Sequence, residues 1–183
     1  LGLIYVLYSG ISEPIKFKRE KEKREDAVVQ KLMEIRTAQE HYRSITGGEF
    51  ADNFEKLKDT LTYGVFYKMK LDEKENPDDP NNPIVLRDTT IVPASDSIPK
   101  LGINLDSLPY IPYSKGEKFE ITADTLTYQK TLVNVVEVKT KKKTFMGKYA
   151  DERYKRYDDF YDPEDYLKFG DMGKPNLAGN WER

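Results

Sequence analysis

Val28-Val29-Gln30-Lys31-Leu32-Met33-Glu34-Ile35-Arg36-Thr37-Ala38-Gln39-Glu40-His41-Tyr42 decides how this chain folds. Val28, Leu32, Ile35, Gln39 and Tyr42 recur at steps of four and three, with Ala38 and Ile45 beside them. That spacing places them on one side of an α-helix, so the helix carries one apolar stripe and needs a surface to lay it on. Gly47-Gly48 supplies the left-handed residue with which such a helix ends. Toward the N-terminus the pattern changes. Lys16–Asp26 is mostly polar on all sides, with Glu20 and Arg24 as an i,i+4 pair, and Pro14 suits a first helical turn. Residues 13–47 therefore read as a solvated stalk followed by a docked amphipathic helix, with Val28, Leu32, Ile35 and Tyr42 as the helix–sheet packing residues.

Further out, Leu1–Ile11 carries no charge, and Lys16, Lys18, Arg19, Lys21, Lys23 and Arg24 follow it. Such a run is shorter than the roughly 20 residues a helix needs to cross a bilayer. An apolar stretch ending in a basic flank is nevertheless what a helix leaving a membrane looks like. The expectation is that residues 1–12 are the end of a transmembrane anchor, giving a single-pass protein with a periplasmic body. A buried apolar strand or the remnant of a cleaved signal is the competing account.

On the other side, residues 48–183 read as an antiparallel-sheet body with short C-terminal helices. Asp52 or Asn53 can cap a helix bearing Phe54, Leu57 and Leu61. Tyr63, Val65, Tyr67, Met69 and Leu71 alternate as in a half-buried strand. Residues 75–83 are an exposed loop by their Asn, Asp and Pro content. Ile84–Val92, Lys118–Ala123, Leu132–Lys139 and Thr144–Lys148 are further strand candidates, and Pro93–Ser114 is irregular. Ala150, Tyr154, Tyr157 and Tyr161 return to helical spacing. Asp162-Pro163-Glu164-Asp165 opens a last short helix ending at Gly170. The class is α+β: a long N-terminal helix packed on an antiparallel sheet.

Composition narrows the chemistry. The 183 residues contain no Cys and one His, which excludes disulfides, thiolate metal sites and His-rich sites. A net charge of −2 gives no overall attraction to nucleic acid. His41 sits beside the apolar stripe with no Ser or Asp at a triad spacing. Gly47-Gly48 lacks the strand and Lys of a phosphate loop. Asp158, Asp159, Asp162, Glu164 and Asp165 are crowded but not at EF-hand spacing, and serve as caps and solvated faces before they serve calcium. Lys139, Lys141, Lys142 and Lys143 read as a solvated hairpin tip. No catalytic, cofactor-binding or metal-binding residue is nominated. Tyr154, Tyr157, Tyr161 and Trp181 are the candidate partner contacts, since Tyr and Trp are enriched at interfaces.

Lys31–Tyr42, the turn Gly47-Gly48-Glu49-Phe50 and the Asn53–Leu57 segment together resemble type IV pilins and pseudopilins. A second likeness covers more of the chain. Ile35-Arg36-Thr37-Ala38-Gln39 with Tyr42, Leu86-Arg87-Asp88-Thr89, Tyr110-Ile111-Pro112-Tyr113-Ser114 with Phe119-Glu120, and Gly179-Asn180-Trp181-Glu182 are similar to an uncharacterised family of bacterial single-pass envelope proteins. That resemblance implies an anchored, pilin-like body and no reaction. The function expected is a non-catalytic, membrane-anchored structural subunit of a secretion, pilus-like or outer-membrane biogenesis assembly, with other envelope proteins as partners. The alternative is an anchored ligand- or glycan-binding protein. A hydrolase ranks third, because no nucleophile–base pair can be named.

Overall fold

A computed structural model describes the fold over residues 2–74 and 84–182, and the side chains from residue 10 onward except that of Glu73. The predicted loop 75–83 lies outside the described residues. The fold is α+β.

Helix α1 runs unbroken from Gly2 to Thr46. Pro14 therefore lies inside it, not in its first turn. The missing N–H leaves the carbonyl of Gly10 without its helical partner, and Gly10 is exposed, so water can take that place. Among the described residues no helix is long and apolar enough to cross a membrane. The stripe is buried: Val28, Leu32, Ile35, Ala38 and Gln39 are inaccessible, and Tyr42 nearly so. Gln39 is a polar member with a reason to be there. Its amide donates to the Ala51 carbonyl and accepts from the Ala51 N–H, both at 2.9 Å, clasping α1 to the chain that has just turned at Gly47 and Gly48.

The predicted free stalk is corrected. Phe17 is fully buried, with the rings of Tyr154 and Tyr161 each 5.0 Å from its own and Tyr149 at 5.8 Å. Phe17, Lys21, Arg24 and Val28 continue the docked stripe at the same three-and-four spacing. Lys21 reaches Asp158 at 2.6 Å, and Arg24 donates to the Phe145 carbonyl at 2.8 Å. The body thus lies along α1 as far as Glu13, whose carboxylate accepts from the Tyr157 hydroxyl at 2.9 Å.

Helix α2 (Phe54–Tyr63) is capped by Asn53, which accepts from the Lys56 N–H at 2.8 Å, and buries Leu57 and Leu61. Gly64 then turns the chain where a Cβ would strike the Thr60 carbonyl and Ile45. The strands form two sheets, not one. β1 (Val65–Lys74) and β2 (Ile84–Pro93) make a two-stranded antiparallel ribbon. After helix α3 (Ala94–Ser97) and an irregular stretch, β3 (Glu120–Tyr128), β4 (Thr131–Lys141) and β5 (Tyr166–Gly170) form an antiparallel sheet in that order.

Two short segments exchange their predicted types. Thr144–Lys148 falls in helix α4 (Lys142–Met146) and a following 3-10 turn, so Lys139–Lys143 is a strand-to-helix passage, not a hairpin tip. The segment ending at Gly170 is strand β5, because Asp162 forms a turn: its carboxylate accepts from the Glu164 N–H and its carbonyl from the Asp165 N–H. Leu167 and Phe169 then alternate into the core. Val136, Val138 and Phe169 of the sheet join Leu32 and Ile35 of α1 in one apolar cluster.

Candidate interaction surfaces

The predicted partner contacts come first. Tyr154 and Tyr161 are core residues in the cage around Phe17, and the Tyr161 hydroxyl donates to the Tyr149 carbonyl at 2.7 Å. They are not free to meet another protein. Tyr157 is half-buried at the rim of the same cage. Trp181 is half-buried against the core, folded over Gly179. Its segment is held by Arg36, which donates to the Leu177 carbonyl at 3.2 Å and to Glu182 at 2.8 Å.

The groups that could carry chemistry are engaged separately. His41 meets Phe66 edge to face at 5.6 Å. Within the acidic cluster Asp158 pairs with Lys21, Asp162 with Lys155, and Glu164 with Lys141 and Lys143, so these carboxylates diverge to different lysines. The Lys21 hydrogen bond holds Asp158 below the ordinary carboxylate range, against a smaller upward push from burial. Burial, reinforced by Glu25, drives the Tyr161 phenol far upward, so it stays protonated. Among the described residues no group of three metal-ligating side chains converges.

What stands out instead is the ribbon. Its register pairs Tyr67 with Ile91, Met69 with Thr89 and Leu71 with Arg87. Cross-strand partners share a face. One face therefore carries Val65, Tyr67, Met69, Leu71, Val85 and Ile91 with Arg87 and Thr89 among them, and the other carries Lys68, Lys70, Asp72, Lys74, Asp88 and Thr90 with Phe66, Ile84, Leu86 and Val92. Only the root is covered. Phe66 packs on the core, and the Ala94 N–H donates to the Gly64 carbonyl at 2.9 Å across the base. Beyond it Tyr67, Met69, Leu71 and Ile91 are 65%, 62%, 58% and 59% exposed. A two-stranded ribbon is at best marginally stable alone in water, and a row of large apolar side chains open to solvent marks a contact surface. Alternation along the chain marks these strands, but it carries no sign that the face lacks cover.

A second incomplete feature lies on β4. β5 pairs only with Glu137–Lys141, so among the described residues the edge of Thr131–Val136 has no strand on that side. A Cβ on Gly170 would strike the Val136 carbonyl oxygen, so that carbonyl points toward β5. By the alternation of an antiparallel strand, the backbone groups of Asn134 and Leu132 point the same way, past the end of β5. This bare edge floors a groove of about 480 Å³ lined by Arg43, Phe50, Val133, Val135, Pro175 and Leu177. The Arg43 guanidinium lies 5.5 Å from the centre of the Phe50 ring. Asn134 fixes the groove to the end of α1 by donating to the Gly48 carbonyl at 2.8 Å.

No protein-family model, no characterised protein and no solved structure matches the chain.

Proposed function

We propose that the chain is a non-catalytic structural subunit of a bacterial envelope assembly, held at a membrane through the N-terminal end of α1 and docking a neighbour through the β1–β2 ribbon. The carrying observation is the exposed apolar face of that ribbon, with Tyr67, Met69, Leu71 and Ile91 open to solvent. An arm of this kind contributes little to the stability of its own chain and is explained by what covers it. The pilin-like likeness rests on the same arrangement, a sheet body carried along one long helix. Anchoring rests on the uncharged run Leu1–Ile11 and its basic flank. The ribbon root, beside His41, is about 45 Å along α1 from Ile11 at 1.5 Å per residue, within reach of the soluble part of a neighbouring protein.

The test joins anchoring to docking. The full chain is expected to stay with membranes through a carbonate wash and to co-purify with defined proteins after gentle extraction. Serine at Tyr67, Met69 and Leu71 together is expected to remove those proteins while leaving the melting temperature within about 2 °C, since exposed substitutions cost little. Release by carbonate removes the anchor from the proposal. Retention of every partner by the triple variant removes the ribbon.

A further inference from the structure

Because the first half of α1 is docked, no stalk separates the uncharged run from the body, and what the body presents at that junction is basic. We infer that the edge of the body formed by Glu152–Tyr157 lies on the bilayer surface, where Arg153, Arg156, Lys16, Lys18 and Arg19 receive the phosphate oxygens of anionic lipid headgroups; this rests on the reading of the N-terminal end of α1 as an anchor.

The position follows from Glu13. Its carboxylate accepts from the Tyr157 hydroxyl at 2.9 Å and has the Arg153 guanidinium at 3.9 Å. Glu13 stands two residues beyond Ile11, about 3 Å along the helix. Headgroups occupy roughly 5–7 Å outside the hydrocarbon core on each side of a bilayer, so an anchor ending near Ile11 sets Tyr157 and Arg153 at headgroup depth. Ile11 and Ile15 are largely exposed and lie one turn apart, on the side of α1 away from Glu13 and the buried Phe17. Acyl chains reaching that open side would cover both.

The charge at this level comes from distant parts of the sequence. Arg153 and Arg156 are exposed and lie 4.7 and 4.9 Å from the centres of the Tyr154 and Tyr157 rings, two walls of the cage around Phe17. Stacking uses the face of a guanidinium and leaves its N–H edge for an acceptor such as phosphate. Arg153 gives one N–H to the Tyr154 hydroxyl at 2.7 Å and keeps the others. Lys16, Lys18 and Arg19 are exposed and follow within about 9 Å of Glu13 along the axis. Neither they nor Arg156 pair with a carboxylate among the described residues. Of the nearby acids, Glu13 is engaged as above, Asp151 accepts from the Arg153 N–H at 2.9 Å, and Asp158 is held by Lys21, which leaves Glu152 and Asp159 exposed.

Geometry selects lipid over a protein neighbour. At about 100° per residue, Lys16, Lys18 and Arg19 radiate to different sides of α1, while the two arginines stand on the side of the body. A ring of charge around a helix is met whole by a surface the helix passes through. A neighbouring protein meets it from one side.

The absence of cysteine allows a single labelling position. The full chain with Glu152→Cys, carrying a fluorophore, is reconstituted into vesicles of phosphatidylcholine, and of phosphatidylcholine with about 30% phosphatidylglycerol, each with a trace of lipid bearing a nitroxide quencher on its headgroup. At low salt the ratio of quenched to unquenched label is expected to be about tenfold higher on the anionic vesicles, and to equalise at about 0.5 M salt. Arg153→Gln with Arg156→Gln is expected to lower that ratio about five- to tenfold, and Arg153→Lys with Arg156→Lys to keep it within about twofold. Equal quenching on the two vesicles overturns the proposal and leaves these cations to an acidic protein surface. Equal loss in the lysine pair also overturns it, since packing on the tyrosine rings and not charge would then carry the contact. A carbonate wash of the neutral vesicles reads the anchor separately. A chain retained there without lipid dependence loses this inference alone. One released there, yet quenched on anionic vesicles at low salt, loses the anchor and keeps the lipid contact.

Discussion

Glu137 shows how a side chain on a sheet surface can be tied to pH. It lies on the outer face of β4 with the ammonium of Lys139 at 3.0 Å and that of Lys168 on its other oxygen. Partial burial pushes its carboxyl up, yet the two lysines together bring it below its ordinary value of 4.5. The sign follows: the unfolded chain binds this proton more readily, so the contribution to stability is present above about pH 4.5 and is lost as pH falls through the lower folded value. Glu137→Gln is therefore expected to flatten the acid limb of stability below pH 4.5 by under about 1 kcal/mol, the scale of a solvent-screened pair. Denaturant unfolding at a series of pH values measures this, and an unchanged acid limb would mean the pairs add nothing. Lys139 and Lys141 also show the limit of reading residues singly. In the sequence they read as part of a solvated hairpin tip, whereas in the fold they pair with Glu137 and Glu164.

Helix α1 was legible wherever its period was carried by apolar residues, because that signal is local: Val28 to Tyr42, the glycines that end it, and the Asn53 cap of α2 are each read from neighbours in sequence. The docking of its first half was not. Phe17 is one ring in a polar stretch, and its cage of Tyr149, Tyr154 and Tyr161 arrives from the opposite end of the chain. Short elements failed for another reason. In Thr144–Lys148 and Tyr166–Gly170 only five residues speak, too few to separate a period of two from one of 3.6, and the Asp162 turn rather than any propensity settles the second case. The ribbon was legible as strands but not as an exposed arm, since alternation reports one apolar face and not whether anything covers it. If α1 is docked along both halves, Phe17→Ala is expected to cost about 3–5 kcal/mol and Leu32→Ala about 2–5 kcal/mol, while Lys18→Ala stays within about 0.5 kcal/mol. Chemical denaturation decides it. A Phe17→Ala variant as stable as Lys18→Ala would restore the free stalk.

Taken whole, the molecule is closed on itself around α1, and the ribbon stands outside that closed core. The closure comes from both ends of the sequence. Residues 142–161 clamp the first half of α1, and the C-terminal segment returns along β5, where the Gly170 N–H donates to the Ala178 carbonyl at 3.2 Å and the Asn180 N–H to the Lys168 carbonyl at 3.0 Å. Those contacts join the core into one cooperative unit, in which an amide can exchange only when the whole unit opens. The ribbon beyond Phe66 shares almost none of that core, so its hydrogen bonds can open without it. Hydrogen exchange on the isolated full chain is therefore expected to rank α1 over residues 28–42 with β4 and β5 as slowest, and β1 and β2 beyond their roots as fastest among the strands. In assembled material β1 and β2 should slow, since a partner then covers the open side chains of Tyr67, Met69, Leu71 and Ile91. Ribbon protection equal to that of β4 in the isolated chain would show that the arm is part of the core after all.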